Sequence, residues 1–319
     1  MDKDTLKAWL EKQLKAKYKE VVNGDGFLYA KGDGNAPILL TAHMDTVHKD
    51  KCKYIKVTRN KGETKLWSPQ GIGGDDRCGI WMIWMIITRT KYRPDILFCE
   101  DEEIGGIGSS KFARSKYVSH LTDLKYLVDL DRANDKDAVY YDCGNLKFQR
   151  YIKETIGYTK EYGSFTDICH LSPECDRASV NLSCGYYRQH TLEEYVIFEE
   201  MFATLKAVKT LLSKAKDAET YDYQEEVYWG GKLYTSYGSS YGSDYGYGSS
   251  YGSSYGKNYM DYDDENYYEI VYNKERIPDI TGSTGYYSIG AASKYEAIGM
   301  FLMDNPTLTY NDIIDVYVY

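Results

Sequence analysis

Four short apolar runs in the first 200 residues each lead into histidine or carboxylate residues, and this pattern constrains the chain more than any other feature. The runs are 36–42 (APILLTA), 95–100 (DILFCE), 125–130 (KYLVDL) and 179–184 (SVNLSC). Each has the length of a buried strand. Between and around them lie longer stretches with apolar residues at helical spacing: 4–19, 76–89, 108–117 and 191–214. Further strands are expected at 26–30, 54–58, 65–67 and 138–141. Such alternation predicts an α/β domain with a mainly parallel sheet and helices on both faces. In sheets of that kind ligands gather beyond the carboxyl ends of the strands.

The residues at those ends are chemically suited to a metal. His43 and Asp45 follow the first run in LLTAHMDTV. A neutral imidazole is a good zinc ligand, and a nearby carboxylate can take the ring's other N–H. Asp75 and Asp76 stand in GIGGDDRCGIWMIWMII, where glycines permit a tight turn before a helix. An aspartate there either caps the helix or bridges two cations. Glu100, Asp101, Glu102 and Glu103 crowd together after the second run. Four adjacent acids repel one another unless solvent or a positive charge relieves them. Two neighbouring glutamates suit a metal hydrolase, in which one ligates and the other activates water. Asp129 and Asp131 share one face of the third strand. His190 follows the fourth run in SVNLSCGYYRQHTLEEYV. Each segment alone has an ordinary structural explanation; together, at one edge of one sheet, they point to a metal site.

The segments AHMDTV, GGDDRCG, EDEEIG, VDLDRAN and GYYRQHTLEEY, in this order, resemble the co-catalytic di-zinc peptidase clan of peptidase T-like, carboxypeptidase G-like and leucyl aminopeptidase-like enzymes. The resemblance implies a three-layer αβα zinc-exopeptidase fold and two Zn²⁺ ions, with Mn²⁺ or Co²⁺ also suited to such ligands. It implies that His43 and Asp131 hold one ion, Glu103 and His190 the other, and that Asp75 bridges both. Glu102 would be the general base and Asp45 would orient His43. Asp129 competes with Asp131, which is favoured by its place at the strand tip. Asp76 competes with Asp75, which better fits the clan's Asp-x-Lys/Arg pattern. Asp167, in GSFTDI, and Tyr186 and Arg188, beside His190, are candidates for substrate contact, as is Tyr187. His48, His120 and His170 match no motif and are read as surface or core histidines. Only 31 residues separate His43 from Asp75 and 58 separate Asp131 from His190. The spacing leaves no room for the lid or dimerisation domain that many clan members insert, so a bare catalytic core, monomeric or weakly oligomeric, is expected.

Composition narrows the partners. A net charge of −9 argues against nucleic acid, which needs concentrated Lys and Arg. The longest apolar run, 80–87, is too short to cross a membrane. The charged N-terminal stretch places Leu6, Trp9, Leu10, Leu14 and Tyr18 at helical spacing, so it reads as an amphipathic helix rather than a secretory signal. Seven cysteines, an odd number without a CxxC pair, read as reduced thiols, and a cytoplasmic location is expected.

The chain divides into a catalytic domain at 1–220, a Tyr/Gly/Ser-rich stretch at 221–272 and a small C-terminal helical segment at 273–319. Fifteen of the 35 tyrosines fall between Tyr221 and Tyr272. Glycine and serine between them offer nothing to bury, so disorder is expected there, with an aromatic surface for a protein partner as the alternative. In the tail, Tyr295, Ile298, Phe301 and Leu302 make one helical face ended by Asn305-Pro306. The expected activity is a zinc exopeptidase acting on short peptides, foremost an aminopeptidase. The acids Glu100, Asp101, Asp129 and Asp167 favour a free-amine substrate, whereas Arg188 leaves a carboxypeptidase or N-acyl-amino-acid deacylase open. The third expectation is a non-catalytic assembly protein acting through the tyrosine-rich stretch.

Overall fold

The computed structural model describes residues 2–229, 232–235, 266–273, 284–291, 298, 301 and 313–318. A single eight-stranded sheet organises the first part. Its strands are β1 (Glu20–Gly24), β2 (Phe27–Lys31), β3 (Leu39–His43), β6 (Asp95–Cys99), β7 (Leu127–Arg132), β8 (Asp137–Val139), β9 (Thr159–Glu161) and β10 (Ser179–Ser183). They lie in the order β1-β2-β6-β3-β7-β10-β8-β9. The four central strands, β6, β3, β7 and β10, are mutually parallel. Antiparallel strands β2 and β8 flank them.

Alternation along the central strands divides the side chains between two cores. Leu40, Ala42, Phe98, Val128, Leu130 and Val180 join helices α1 (Lys3–Lys15), α2 (Gly74–Arg89), α4 (Leu146–Ile156) and α6 (Phe198–Lys214). Leu39, Leu97, Cys99 and Leu127 join α3 (Ile107–Ala113), the 3₁₀ helix at Lys116–Asp123 and α5 (Ile168–Cys175). The expected three-layer αβα fold is therefore present, with apolar side chains on both faces of a parallel sheet. α1 shows how local signals fit this plan: Asp2 accepts from the Thr5 N–H as N-cap, and Leu6, Leu10 and Leu14 bury one face.

Several elements differ from the sequence reading. The helix expected from residue 191 starts at Phe198, because Tyr195–Ile197 forms β12. That strand pairs with β5 (Glu63–Trp67), which pairs in turn with β4 (Lys56–Asn60). With β11 (Tyr186–Tyr187) they make a second, four-stranded sheet in the order β11-β12-β5-β4. Helices α4 and α5 were not anticipated. The seven cysteines are free, and all but Cys52 are buried.

The C-terminal segment, expected to be helical, instead contributes β16 (Thr284–Ala291) and β17 (Ile313–Val318), both antiparallel to β15 (Asn266–Asn273). Ile298 and Phe301 are buried and helical, as their spacing implied. The stretch expected to be disordered has strands at its two ends, β15 and the hairpin β13 (Glu226–Trp229) and β14 (Lys232–Thr235). Residues 236–265, with most of the tyrosine-rich repeat, lie outside the described residues. Among the described residues no helix is long and apolar enough to cross a membrane.

Candidate metal centre

The carboxyl ends of the parallel strands deliver the site. His43 is the last residue of β3, level with Cys99 of β6. Glu102 and Glu103 follow β6 directly, and Asp131 lies at the end of β7. The second sheet carries His190 on the loop between β11 and β12, and strand β5 leads into the turn before Asp75. Pairing of β5 with β12 thus draws two distant segments of chain to the same sheet edge.

Asp75 stands between the two histidines. Its Oδ1 is 2.9 Å from His43 Nε2, and its Oδ2 is 3.2 Å from His190 Nε2. Glu103 Oε2 lies 2.8 Å from the same His190 nitrogen, and Asp131 Oδ1 lies 3.4 Å from His43 Nε2. The five residues that the sequence grouped therefore meet in space. His190 adopts φ +63, a backbone region uncommon outside glycine, and the loop holds it there facing Asp75 and Glu103.

The competing assignments separate by hydrogen bonding. Asp76 is fully buried; its Oδ1 accepts from the Gly79 N–H at 2.9 Å and its Oδ2 from the His43 N–H at 3.2 Å. It caps helix α2 while tying it to the end of β3. Asp129 is buried beneath the cluster, where Thr166 Oγ1 donates to its Oδ2 at 2.6 Å. Thr166 also lies 3.1 Å from Asp131 Oδ2.

Asp45 Oδ1 lies 3.3 Å from His43 Nδ1, and its two oxygens accept the backbone N–H groups of Glu102 and Glu103. One aspartate thus holds the backbone of both glutamates and stands beside the His43 ring, whose Nδ1 has no hydrogen-bond partner among the described residues.

Further positioning residues were not recognised from sequence. Glu194 is fully buried and accepts from the N–H groups of Gly73 and Asp75, both at 2.9 Å. His48 Nε2 is 2.6 Å from the same carboxylate, so a histidine read as structural braces the Asp75 turn. Asn181 of β10 accepts from the Asp131 N–H at 2.9 Å and donates to the Asp131 carbonyl at 3.1 Å.

Two expected substrate contacts are corrected. Arg188 is mostly exposed, pairs with Glu193 and lies outside the cleft beside Asp75, Glu102 and Glu103. Asp167 is buried at the start of α5 and does not line that cleft. Tyr186 does line it, and its hydroxyl donates to Asp131 Oδ1 at 3.2 Å. Tyr187 instead donates to Glu200. The cleft holds about 280 Å³, with Val47, Tyr141, Phe165 and Gln189 among its walls.

Charge in this small volume is unusually concentrated. Burial, reinforced by the charge of Asp131, pushes the Glu102 carboxyl well above its ordinary range. Burial and then Asp75 raise Glu103 to about 7. Burial opposes ionisation of Asp75, yet hydrogen bonds to His190 and His43 outweigh it and hold the carboxyl low. Burial also opposes charge on His190, but Asp75 and Glu103 dominate and raise it to about 10. His43 is raised in the same way, chiefly by Asp131. The carboxylates thus favour positive charge on both rings.

This arrangement fits divalent metal. Donor atoms of His43, Asp75 and Glu103 lie within 4.8 Å of one another, as do those of His43, Asp76 and Asp131. Glu103 Oε1 is buried with no hydrogen-bond partner. Mixed nitrogen and carboxylate oxygen donors are the set zinc takes in catalytic sites.

No protein-family profile matches the sequence, and no curated protein matches it. Solved structures do match. An aminopeptidase PepT from Bacillus cereus ATCC 10987 aligns over 65% of this chain and 92% of its own, at 16% identity and a TM-score of 0.52. A tripeptidase from Staphylococcus aureus subsp. aureus Mu50 aligns over 67% of this chain and 93% of its own, at 13% identity and a TM-score of 0.53. The chain shares their fold. At such identities the likeness concerns fold, and it agrees with the zinc-exopeptidase architecture expected from the five sequence segments.

Proposed function

We propose that this chain is a metal-dependent hydrolase of peptide bonds in short peptides. Asp75 carries the reading, because its two oxygens face His43 and His190 at opposite ends of one cluster. His43 and Asp131 would hold one divalent ion, Glu103 and His190 a second, with Asp75 shared. Two Zn²⁺ ions, or Mn²⁺ or Co²⁺, when bound supply Lewis acidity and lower the pKa of bound water. Glu102 is the general base. Its carboxylate lines the cleft beside Asp75 and Asp131, takes the proton of the attacking water on one carboxyl oxygen, and returns it to the leaving amine. Asp45 keeps the His43 ring and the two glutamates in register during this transfer.

The two solved structures named above are described as an aminopeptidase and a tripeptidase, which supports a small peptide as substrate. A cleft near the lower end of ligand-site volumes supports the same. Removal of residues from the amino end is the leading reading. Of the acids first taken to favour it, Glu100 and Asp101 are engaged by Lys7 and Lys3, and Asp129 and Asp167 are buried away from the cleft. The acids that remain on the wall, Asp75, Glu102, Glu103 and Asp131, are already assigned to metal or to the proton of the water, so the amino-end reading rests on the two named structures. A carboxypeptidase or acyl-amino-acid deacylase is the second reading, favoured by Arg132 on the same wall.

The test combines metal analysis of the purified chain with a dipeptide panel and its amine-blocked and carboxyl-blocked forms. Near two metal ions per chain and release of amino acids are expected. Glu102→Ala should lower kcat by ~10²–10⁴-fold while retaining metal. Less than one ion per chain, or full activity in Glu102→Ala, overturns the proposal and returns the assembly-protein reading.

A further inference from the structure

The chemistry of the metal centre leaves one strongly charged surface without a role. Residues 49–65 carry seven Lys or Arg against two acids, Asp50 and Glu63, in a chain whose net charge is −9. Most of this stretch folds as the hairpin of β4 and β5, which turns at Lys61-Gly62. All of these cations except Lys65 are exposed. Among the described residues only Lys51 has a carboxylate within ion-pair reach, that of Asp2. The positive charge therefore faces solvent largely unneutralised.

The same stretch is a sheet edge. The second sheet runs β11-β12-β5-β4, and all five residues of β4 are exposed. Lys61 and Gly62 both have positive φ, as a two-residue hairpin turn requires. Such a turn makes Asn60 and Glu63 a hydrogen-bonded pair, and bonded pairs alternate along the ladder. Lys56 and Thr58 therefore point their N–H and C=O groups at β5, and Val57 and Arg59 turn theirs outward. Among the described residues no backbone group meets them there. Lysine alone is a common guard on an edge strand. This edge differs, because Tyr54, Ile55 and Val57 stand among the lysines at 50%, 53% and 54% exposure. The sheet face away from the core continues the pattern. Lys56 Nζ lies 4.5 Å from the centre of the Trp67 ring, and Lys65 Nζ lies 3.7 Å from that of Tyr195.

We propose that β4 takes an acidic, extended segment of a protein partner as an added strand. The outward N–H and C=O groups of Val57 and Arg59 supply main-chain hydrogen bonds, and the exposed apolar side chains take alternate residues of the incoming strand. The cations select Asp and Glu in that strand and steer its approach. Nucleic acid or an anionic membrane would use the charge but not the backbone groups of the edge. The proposal does not depend on hydrolysis, so it stands or falls separately from the peptidase reading.

The experiment uses the full chain and a fluorescent peptide of alternating Glu and Val, labelled at its amino end and amidated at the other. At physiological salt a saturable rise in anisotropy is expected, with Kd below ~100 µM. A peptide of alternating Lys and Val should not bind. Lys56→Gln combined with Arg59→Gln should weaken binding by ~tenfold or more. Val57→Pro removes one outward N–H while sparing the pairing with β5, and should weaken binding by at least ~fivefold. All three positions are exposed, and an unchanged far-UV circular dichroism spectrum reports that the variants fold. No saturable binding of the Glu-Val peptide overturns the proposal, as does wild-type affinity in either variant. Tighter binding of a single-stranded oligonucleotide or of phosphatidylserine vesicles than of the peptide also overturns it, and assigns the charge to that class of partner.

Discussion

Residues of the candidate centre differ sharply in how visible they are in sequence. His43, Glu102, Glu103 and Asp131 announce themselves because a ligand must sit at a strand end, and strand ends are marked by apolar runs. Glu194 offers no such mark. It acts through the N–H groups of Gly73 and Asp75, the latter 119 residues earlier in the chain, and only folding of the second sheet brings them together. Thr166, Asn181 and His48 are hidden for the same reason: each positions a neighbour instead of meeting a ligand. The Glu194→Gln variant isolates this role. The amide keeps the shape but replaces one accepting oxygen with a donor that faces an N–H or the His48 ring. Metal affinity should weaken by ~10–100-fold with the fold retained, as for other outer partners of metal ligands. Competition against a chromophoric chelator measures it, and unchanged affinity would remove Glu194 from the site.

At the scale of elements, patterns that repeat were legible and patterns that depend on partners were not. The central strands and helices α1 and α2 were visible because burial on both sides of a sheet imposes long apolar runs. Residues 195–197 continue the apolar spacing of α6, so only their pairing with β5 reveals a strand. Helix α4 carries local signals of its own: Asn145 caps it, Phe148 and Ile152 form its buried stripe, and Gly157 ends it in the left-handed region. In the tail, tyrosine and isoleucine suit helix and strand alike once a sheet is available. Helix α2 permits a direct test of how an element serves the site. Gly79 approaches β7 so closely that an added Cβ would lie 2.1 Å from the Leu130 carbonyl and 2.6 Å from the Asp76 carboxylate. Ile83, one turn on, is fully buried in the apolar core. Ile83→Ala should destabilise by ~2–5 kcal/mol in urea titration and leave metal stoichiometry intact. Gly79→Ala should both destabilise and reduce bound metal, since the clash displaces the cap that ties α2 to His43. Equal metal content in the two variants would show that α2 packs without setting the site.

Taken as a whole, the molecule stores a dense group of acids at one sheet edge, and its stability should depend on what neutralises them. Without metal, Glu103 titrates near 7 instead of its ordinary 4.5, so its charged form is disfavoured by folding. That penalty is absent in acid and grows as pH rises from about 4.5 to 7. His190 is raised from 6.5 to about 10, so its contribution is complete below 6.5 and disappears as pH climbs through about 10. Both signs agree: the metal-free chain loses stability from mildly acidic towards alkaline pH. Bound metal acts in the opposite sense. Ions compete with protons for His43, His190 and the carboxylates, so affinity rises as those protons leave. Stabilisation by a ligand that binds only the folded state grows with the ratio of its concentration to Kd, reaching ~4 kcal/mol at a thousandfold excess. The difference in Tm between zinc-loaded and chelator-treated protein should therefore be small at pH 5.5 and much larger at pH 8. Thermal melts at the two pH values measure it directly. A difference that is constant or shrinks with pH would mean that the cluster does not exchange protons for metal, and the acids at the strand ends would need another explanation.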